Sequence, residues 1–142
     1  FTLGYKFSEA LGLKFIDRDG VEKPVFMGSY GIGPSRVMGM IAEHFSDDKG
    51  LVWPENVAPA KVYLVQIGEQ SKQEFQAKGV EVLFDDREVR PGQKFADAEL
   101  MGIPYRVTVS DRLMESDSFE LVERVSGELK ILNRDELLEE LA

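Results

Sequence analysis

Two short apolar runs, residues 13–17 and 25–29, flank the turn-forming pair Asp19-Gly20, and this pattern predicts two antiparallel strands near the head of the chain. The second run passes through Met27-Gly28-Ser29-Tyr30-Gly31-Ile32-Gly33 into Pro34-Ser35-Arg36, where Pro34 suits the first position of a helix predicted over residues 34–45. Val37, Met38, Met40, Ile41, Ala42 and Phe45 cover most of that helix's circumference, which implies burial on several sides. Ser46-Asp47-Asp48-Lys49-Gly50 ends it with turn formers. From Trp53-Pro54 to Ala58-Pro59 the chain reads as a stiff, extended connection, with Trp53 a packing residue at a junction.

Beyond residue 58 the pattern changes to strands alternating with helices. Residues 61–67, 81–84 and 105–109 read as strands with helical segments between them, a pattern that calls for a mostly parallel sheet with right-handed crossovers. Gly102-Ile103-Pro104 supplies a glycine cap and a proline stop for a helix over residues 93–101. Residues 119–124 and 128–132 form a hairpin around Ser126-Gly127. Asn133 with Glu136 makes a capping-box start to a last helix that turns Leu137, Leu138 and Leu141 inward. Residues 69–78, between the first two strands of this sheet, are at the lower length limit for a helical crossover. The expected fold is therefore α/β, a mixed and mostly parallel sheet flanked by helices, preceded by an antiparallel strand-plus-helix segment. The expected division is residues 1–58 and residues 59–142.

Composition narrows the function classes. Hydrophobic residues at 43% and charged residues at 30% argue for a folded core rather than disorder. No apolar run approaches the ~20 residues of a membrane span, so no membrane partner is expected. With no cysteine and the single His44, neither a disulfide framework nor a thiolate or histidine metal site can form. Carboxylate-only magnesium binding stays open, and no metal ligands are assigned. The cysteine count fits a reducing cytoplasm. A formal charge of −9 speaks against a generic polyanion binder. Lys78, Arg87, Arg90, Lys94, Arg106 and Arg112 nevertheless gather in the middle of the second half, compatible with a local face that reads particular bases.

Two stretches carry candidate chemistry. Glycines at 28, 31 and 33 before a helix start, with an arginine in its first turn, have the build of a phosphate-facing site, because exposed amides and the helix dipole favour anions. The spacing fits neither the dinucleotide fingerprint nor the Walker loop, so a tight turn with a surface arginine stays open. Asp85-Asp86-Arg87 ends a strand, where open α/β sheets place binding residues, and Arg90, Lys94, Asp97 and Glu99 follow across a turn and a helix. Metal binding, acid–base work and a solvated charged edge are all readings of these carboxylates. His44 is given no catalytic part, and Phe95, Ala98 and Leu137 are core.

Residues 27–40 resemble the third signature motif of class II aminoacyl-tRNA synthetases, in the Gly-Ser-Tyr-Gly-Ile-Gly-Pro-Ser-Arg wording of the prolyl-tRNA synthetases. Gly50-Leu51-Val52-Trp53-Pro54-Glu55-Asn56-Val57-Ala58-Pro59 is similar to that family's junction between catalytic and anticodon-binding domains. Gly79-Val80-Glu81-Val82-Leu83-Phe84-Asp85-Asp86-Arg87, the run from Arg90-Pro91-Gly92 to Leu100, and Gly102-Ile103-Pro104 are similar to the core of its anticodon-binding domain.

The resemblance implies that residues 1–58 end a class II catalytic domain and residues 59–142 form the anticodon-binding domain. It implies that Arg36 contacts the γ-phosphate of ATP, with Gly31 and Gly33 against the adenosine and Ser29 and Tyr30 bordering the aminoacyl pocket. Many relatives carry cysteine at the Ser29 position, which weakens any nucleophilic role. Proline anticodons carry guanines at their last two positions. Asp85, Arg87, Arg90, Lys94 and Glu99 are therefore expected at the tRNA anticodon, as donors to guanine edges or phosphates and acceptors from guanine amino groups, with Asp97 orienting its neighbours. The chain begins at Phe1, inside a fold, and is expected to be a fragment that lacks the first two class II motifs. The parent would be a cytoplasmic, homodimeric ligase joining proline to tRNA(Pro) through prolyl-adenylate with ATP and magnesium. The fragment alone is expected to be inactive and to hold no cofactor. A noncatalytic tRNA-binding or subunit-interaction module, and a threonyl, glycyl or histidyl synthetase, are the alternatives.

Overall fold

In a computed structural model, residues 1–68 and 79–142 are described. Their contacts gather into two units, Phe1–Val37 and Met38–Ala142. In the first, strand β1 (Thr2–Gly4) leads into helix α1 (Lys6–Leu11), which ends where Gly12 takes a left-handed φ of 68°. Strands β2 (Lys14–Ile16) and β3 (Glu22–Pro24) then pair antiparallel, Lys14 opposite Pro24 and Ile16 opposite Glu22. The turn between them closes tightly, with the Asp17 amide donating to Val21 O at 2.9 Å and Gly20 N to Asp17 O at 2.8 Å.

This corrects the pairing expected for residues 25–29. The closed turn brings residues 22–24 alongside β2 first, and only the Val25 amide continues the ladder, to Leu13 O at 3.2 Å. The chain then leaves that hairpin, and β4 (Met27–Gly28) pairs with β1 instead. Helix α2 (Pro34–His44) follows as expected. None of its residues is buried; Val37, Ile41 and Ala42 are partly covered, while Met38 and Met40 are 58% and 62% exposed.

The second unit contains the five-stranded sheet. The residues expected only to stop α2 form a two-residue-per-strand hairpin, β5 (Ser46–Asp47) with β6 (Gly50–Leu51). The connection after Trp53 is extended at Pro54 and Ala58 but contains a 3-10 turn, Glu55–Val57. Then come β7 (Val62–Ile67), β8 (Val82–Asp85), α3 (Pro91–Met101), β9 (Tyr105–Ser110), the short α4 (Asp111–Glu115), β10 (Phe119–Glu123), β11 (Leu129–Leu132) and α5 (Arg134–Glu140). The crossover helix expected over residues 69–78 lies outside the described residues.

Strand order is β11-β10-β9-β7-β8, with β7 parallel to both β8 and β9 and β10 antiparallel to β9 and β11. Only β10 runs against the other four, so the mixed, mostly parallel sheet is as expected. Alternation along β7 and β9 divides the core between the two faces. Val62, Leu64, Val107 and Val109 pack with Phe119, Leu121, Leu137 and Leu141 on one face. Tyr63 and Val65 pack with Ala98 and Ile103 on the other. Helix α5 starts with the reciprocal Asn133–Glu136 capping box, each bond 3.0 Å.

Helix α3 is fixed at both ends. Pro91 occupies its first turn after the extended Arg90, and Gly102 closes it at φ 68°. A Cβ on Gly102 would sit 1.9 Å from Leu51 O, and Trp53 N donates to Gly102 O at 3.0 Å, so the β5–β6 hairpin lies against the helix end. Arg124 clasps the same region, donating from both terminal nitrogens to Asp47 at 2.6 and 2.7 Å and from Nε to Glu99 O at 3.2 Å.

Candidate nucleic-acid interface

Strand β8 delivers Asp85 to the carboxyl end of the parallel strands, and its side chain is 1% exposed. Both carboxylate oxygens are saturated. Oδ1 accepts from the Arg87 amide at 3.2 Å and from Arg87 Nε at 2.8 Å. Oδ2 accepts from Arg87 Nη2 at 2.7 Å and from the Tyr63 hydroxyl at 2.9 Å. Nη2 donates as well to Asp97 Oδ2 at 2.7 Å, on α3. Lys94, one turn earlier on that helix and 7% exposed, donates to Gln66 O at 3.3 Å and Asp85 O at 2.9 Å. Its ammonium thus joins the carboxyl ends of β7 and β8 from within.

The Arg87 guanidinium holds the Asp85 carboxyl well below the usual carboxylate range, against the opposing effect of burial. Burial first, then the neighbouring Asp85 carboxylate, pushes the Tyr63 hydroxyl up to about 12. The Arg87 guanidinium is raised by Asp85 and then by Asp97. Of the five guanidinium hydrogens, three are committed to the two carboxylates, and both hydrogens of Nη1 are left without a partner among the described residues. One of the three Lys94 ammonium hydrogens is likewise left. The site therefore offers a rigidly held, half-exposed donor to an acceptor on a base edge or a phosphate.

The remaining expected residues divide. Arg90 is exposed at the start of α3, and its side chain makes no ion pair among the described residues. Asp97 holds Arg87, the orienting part foreseen for it. Glu99, two residues on and roughly 200° round the helix, faces Lys49 Nζ at 3.4 Å rather than the Arg87 cluster. Arg106 lies over the Phe95 ring at 4.8 Å and is half-buried. Tyr63 was missed, because an aromatic inside an apolar strand reads as core until the partner strand's register is known. Among the described residues, no three His, Cys, Asp or Glu side chains gather to hold a metal ion.

In the first unit, Arg36 is exposed in the opening turn of α2, and its guanidinium makes no ion pair among the described residues. A Cβ at Gly31 would meet nothing within 4 Å, and one at Gly33 would meet only the Arg36 side chain, from 3.7 Å. Backbone and cation are thus open to a phosphate-bearing ligand. Ser29 extends the β1–β4 ladder by donating its amide to Phe1 O at 2.8 Å. Tyr30 is 93% exposed, and its ring lies where a Cβ on Gly28 would stand, 2.9 Å from the nearest ring carbon.

In this open, mixed α/β sheet an arginine is fixed at the carboxyl ends of the parallel strands, where such sheets generally hold ligands. A family described as an anticodon binding domain matches residues 56–142, and the chain belongs to that family. It is 43% identical to a proline–tRNA ligase of Persephonella marina over 96% of this chain, and 45% identical to one of Levilactobacillus brevis over the same share. The chain spans 26% of the length of each of these relatives. It is similar, at a TM-score of 0.73 and 29% identity, to a solved prolyl-tRNA synthetase of Cryptosporidium parvum complexed with L-proline and AMP. That likeness covers 99% of this chain and 34% of the other.

Proposed function

We propose that this chain is part of a proline–tRNA ligase, with residues 59–142 reading the anticodon of tRNA(Pro) and residues 1–58 contributing one ATP contact to the catalytic domain. The observation that carries the reading is the half-exposed Arg87 guanidinium, held between Asp85 and Asp97 with Nη1 left unpaired among the described residues. Such a donor suits guanine O6 or N7. Arg90 joins it as an exposed cation at the helix start. Lys94 serves from beneath, its charge oriented by the Gln66 and Asp85 carbonyls. The Asp85 carboxylate is consumed internally and acts through Arg87, while Glu99 stands as a more distant acceptor beside Lys49.

In the parent enzyme ATP would supply the adenylate and expel pyrophosphate. Arg36, unpaired and exposed, would hold the γ-phosphate oxygens, with the backbone at Gly31 and Gly33 close to the nucleotide and Ser29 and Tyr30 at the edge of the proline pocket. Magnesium finds no ligand set among the described residues, and no step is assigned to it. A homodimeric, cytoplasmic parent belongs to the same proposal. Arg36→Ala in the full-length ligase tests the ATP contact. Proline-dependent pyrophosphate exchange should fall at least about a hundredfold, while tRNA affinity is kept, and unchanged exchange would contradict the assignment.

A further inference from the structure

Tyr63 is the inner end of the series of contacts that terminates in Arg87. Its ring is 3% exposed and packs with Val65, Ala98 and Ile103, so strand β7 and the core settle where its hydroxyl stands. That hydroxyl shares Asp85 Oδ2 with Arg87 Nη2, at 2.9 and 2.7 Å. We infer that Tyr63 is a positioning residue for base reading: acting through Asp85, its hydroxyl fixes the direction in which Arg87 presents Nη1. The inference rests on the anticodon reading proposed above and extends it from the surface into the core.

A carboxylate turns about its last torsion in a broad, twofold well. The two side-chain donors of Arg87 can follow that turn, because the arginine side chain has torsions of its own, and its backbone amide reaches only Oδ1, at 3.2 Å. A donor on a buried ring cannot. Tyr63 therefore ties Oδ2, the oxygen that meets Arg87 Nη2, to the sheet. A loose cation binds any phosphate about equally well. Distinguishing a guanine from another base requires the donor to arrive along the line of the O6 or N7 lone pair. Losing the hydroxyl should then cost discrimination and leave nonspecific electrostatic affinity as it was.

The test measures equilibrium binding of the full 142-residue chain to tRNA transcripts. One transcript carries the proline anticodon, and the other has both anticodon guanines replaced. Tyr63→Phe keeps the ring and should lower the ratio of the two affinities about tenfold. Affinity for the altered transcript and the salt dependence of binding should remain near those of the parent chain, and the melting temperature should fall by no more than the loss of one buried hydrogen bond. Asp97→Asn loosens the outer tether of the same guanidinium at the surface, and should lower the ratio in the same direction without touching the core. Arg87→Ala should abolish discrimination.

A Tyr63→Phe chain that discriminates as well as the parent, while Arg87→Ala does not, would overturn the positioning role and leave the anticodon reading standing. Equal loss of affinity for both transcripts alongside a lowered melting temperature would also overturn it, since that is the mark of a merely structural tyrosine. A parent chain that binds both transcripts equally would instead overturn the anticodon reading itself.

Discussion

Asp85 and Tyr63 carry opposite acid–base signatures within one hydrogen bond. Asp85 has its pKa lowered from the ordinary 3.8, chiefly by Arg87. An acid depressed on folding contributes stability that is present above the ordinary carboxylate pKa and lost as pH falls through the lower folded value. Tyr63 is displaced upward, from 10.0 to about 12, so its contribution is complete below pH 10.0 and lost as pH rises towards about 12. The chain should accordingly lose stability at both extremes and hold the cluster unchanged through neutral pH. Following phenolate absorbance on alkaline titration should show a late step near pH 12 that Tyr63→Phe removes. A titration identical in parent and variant would mean that the hydroxyl is not held as described.

Helix α3 links two features that the sequence presents separately. Its first turns carry Lys94 and Asp97 to the Arg87 cluster, and its end rests on the β5–β6 hairpin through Gly102. Gly102 combines a φ of 68° with backbone only 1.9 Å from where a Cβ would stand. Gly102→Ala should therefore cost at least ~3 kcal/mol of stability. A denaturant midpoint equal to that of the parent chain would contradict this packing.

Legibility followed element length and burial. Strands β7 and β9 are six residues each and buried across their centres, so their apolar runs marked them, and the capping box marked α5. The two-residue strands β4, β5 and β6 and the five-residue α4 are too short to impose a period. The partner of residues 25–29 was misread because a closed turn, not hydrophobicity, decides which residues enter the β2–β3 ladder. The arginine and both carboxylates of the Arg87 cluster lie within one strand end and the helix after it, and were legible as candidates. Their hierarchy was not, since which atoms of Asp85 remain free depends on Tyr63, 22 residues earlier in the chain.

Across the whole chain, a formal charge of −9 opposes association with any polyanion, so the proposed tRNA binding has to come from fixed local donors rather than a diffuse basic surface. Glu123, Glu128 and Glu140 gather away from the Arg87 cluster, around Lys130 and Tyr105 on the opposite sheet face. Binding that rests on a few oriented contacts should show a shallow salt dependence and strong dependence on base identity. The most direct measurement is equilibrium binding of the chain to tRNA carrying proline and other anticodons at two salt concentrations. The account predicts tighter binding of the proline anticodon by at least about tenfold at both salts. Affinity that is equal for all anticodons and collapses as salt is raised would contradict it.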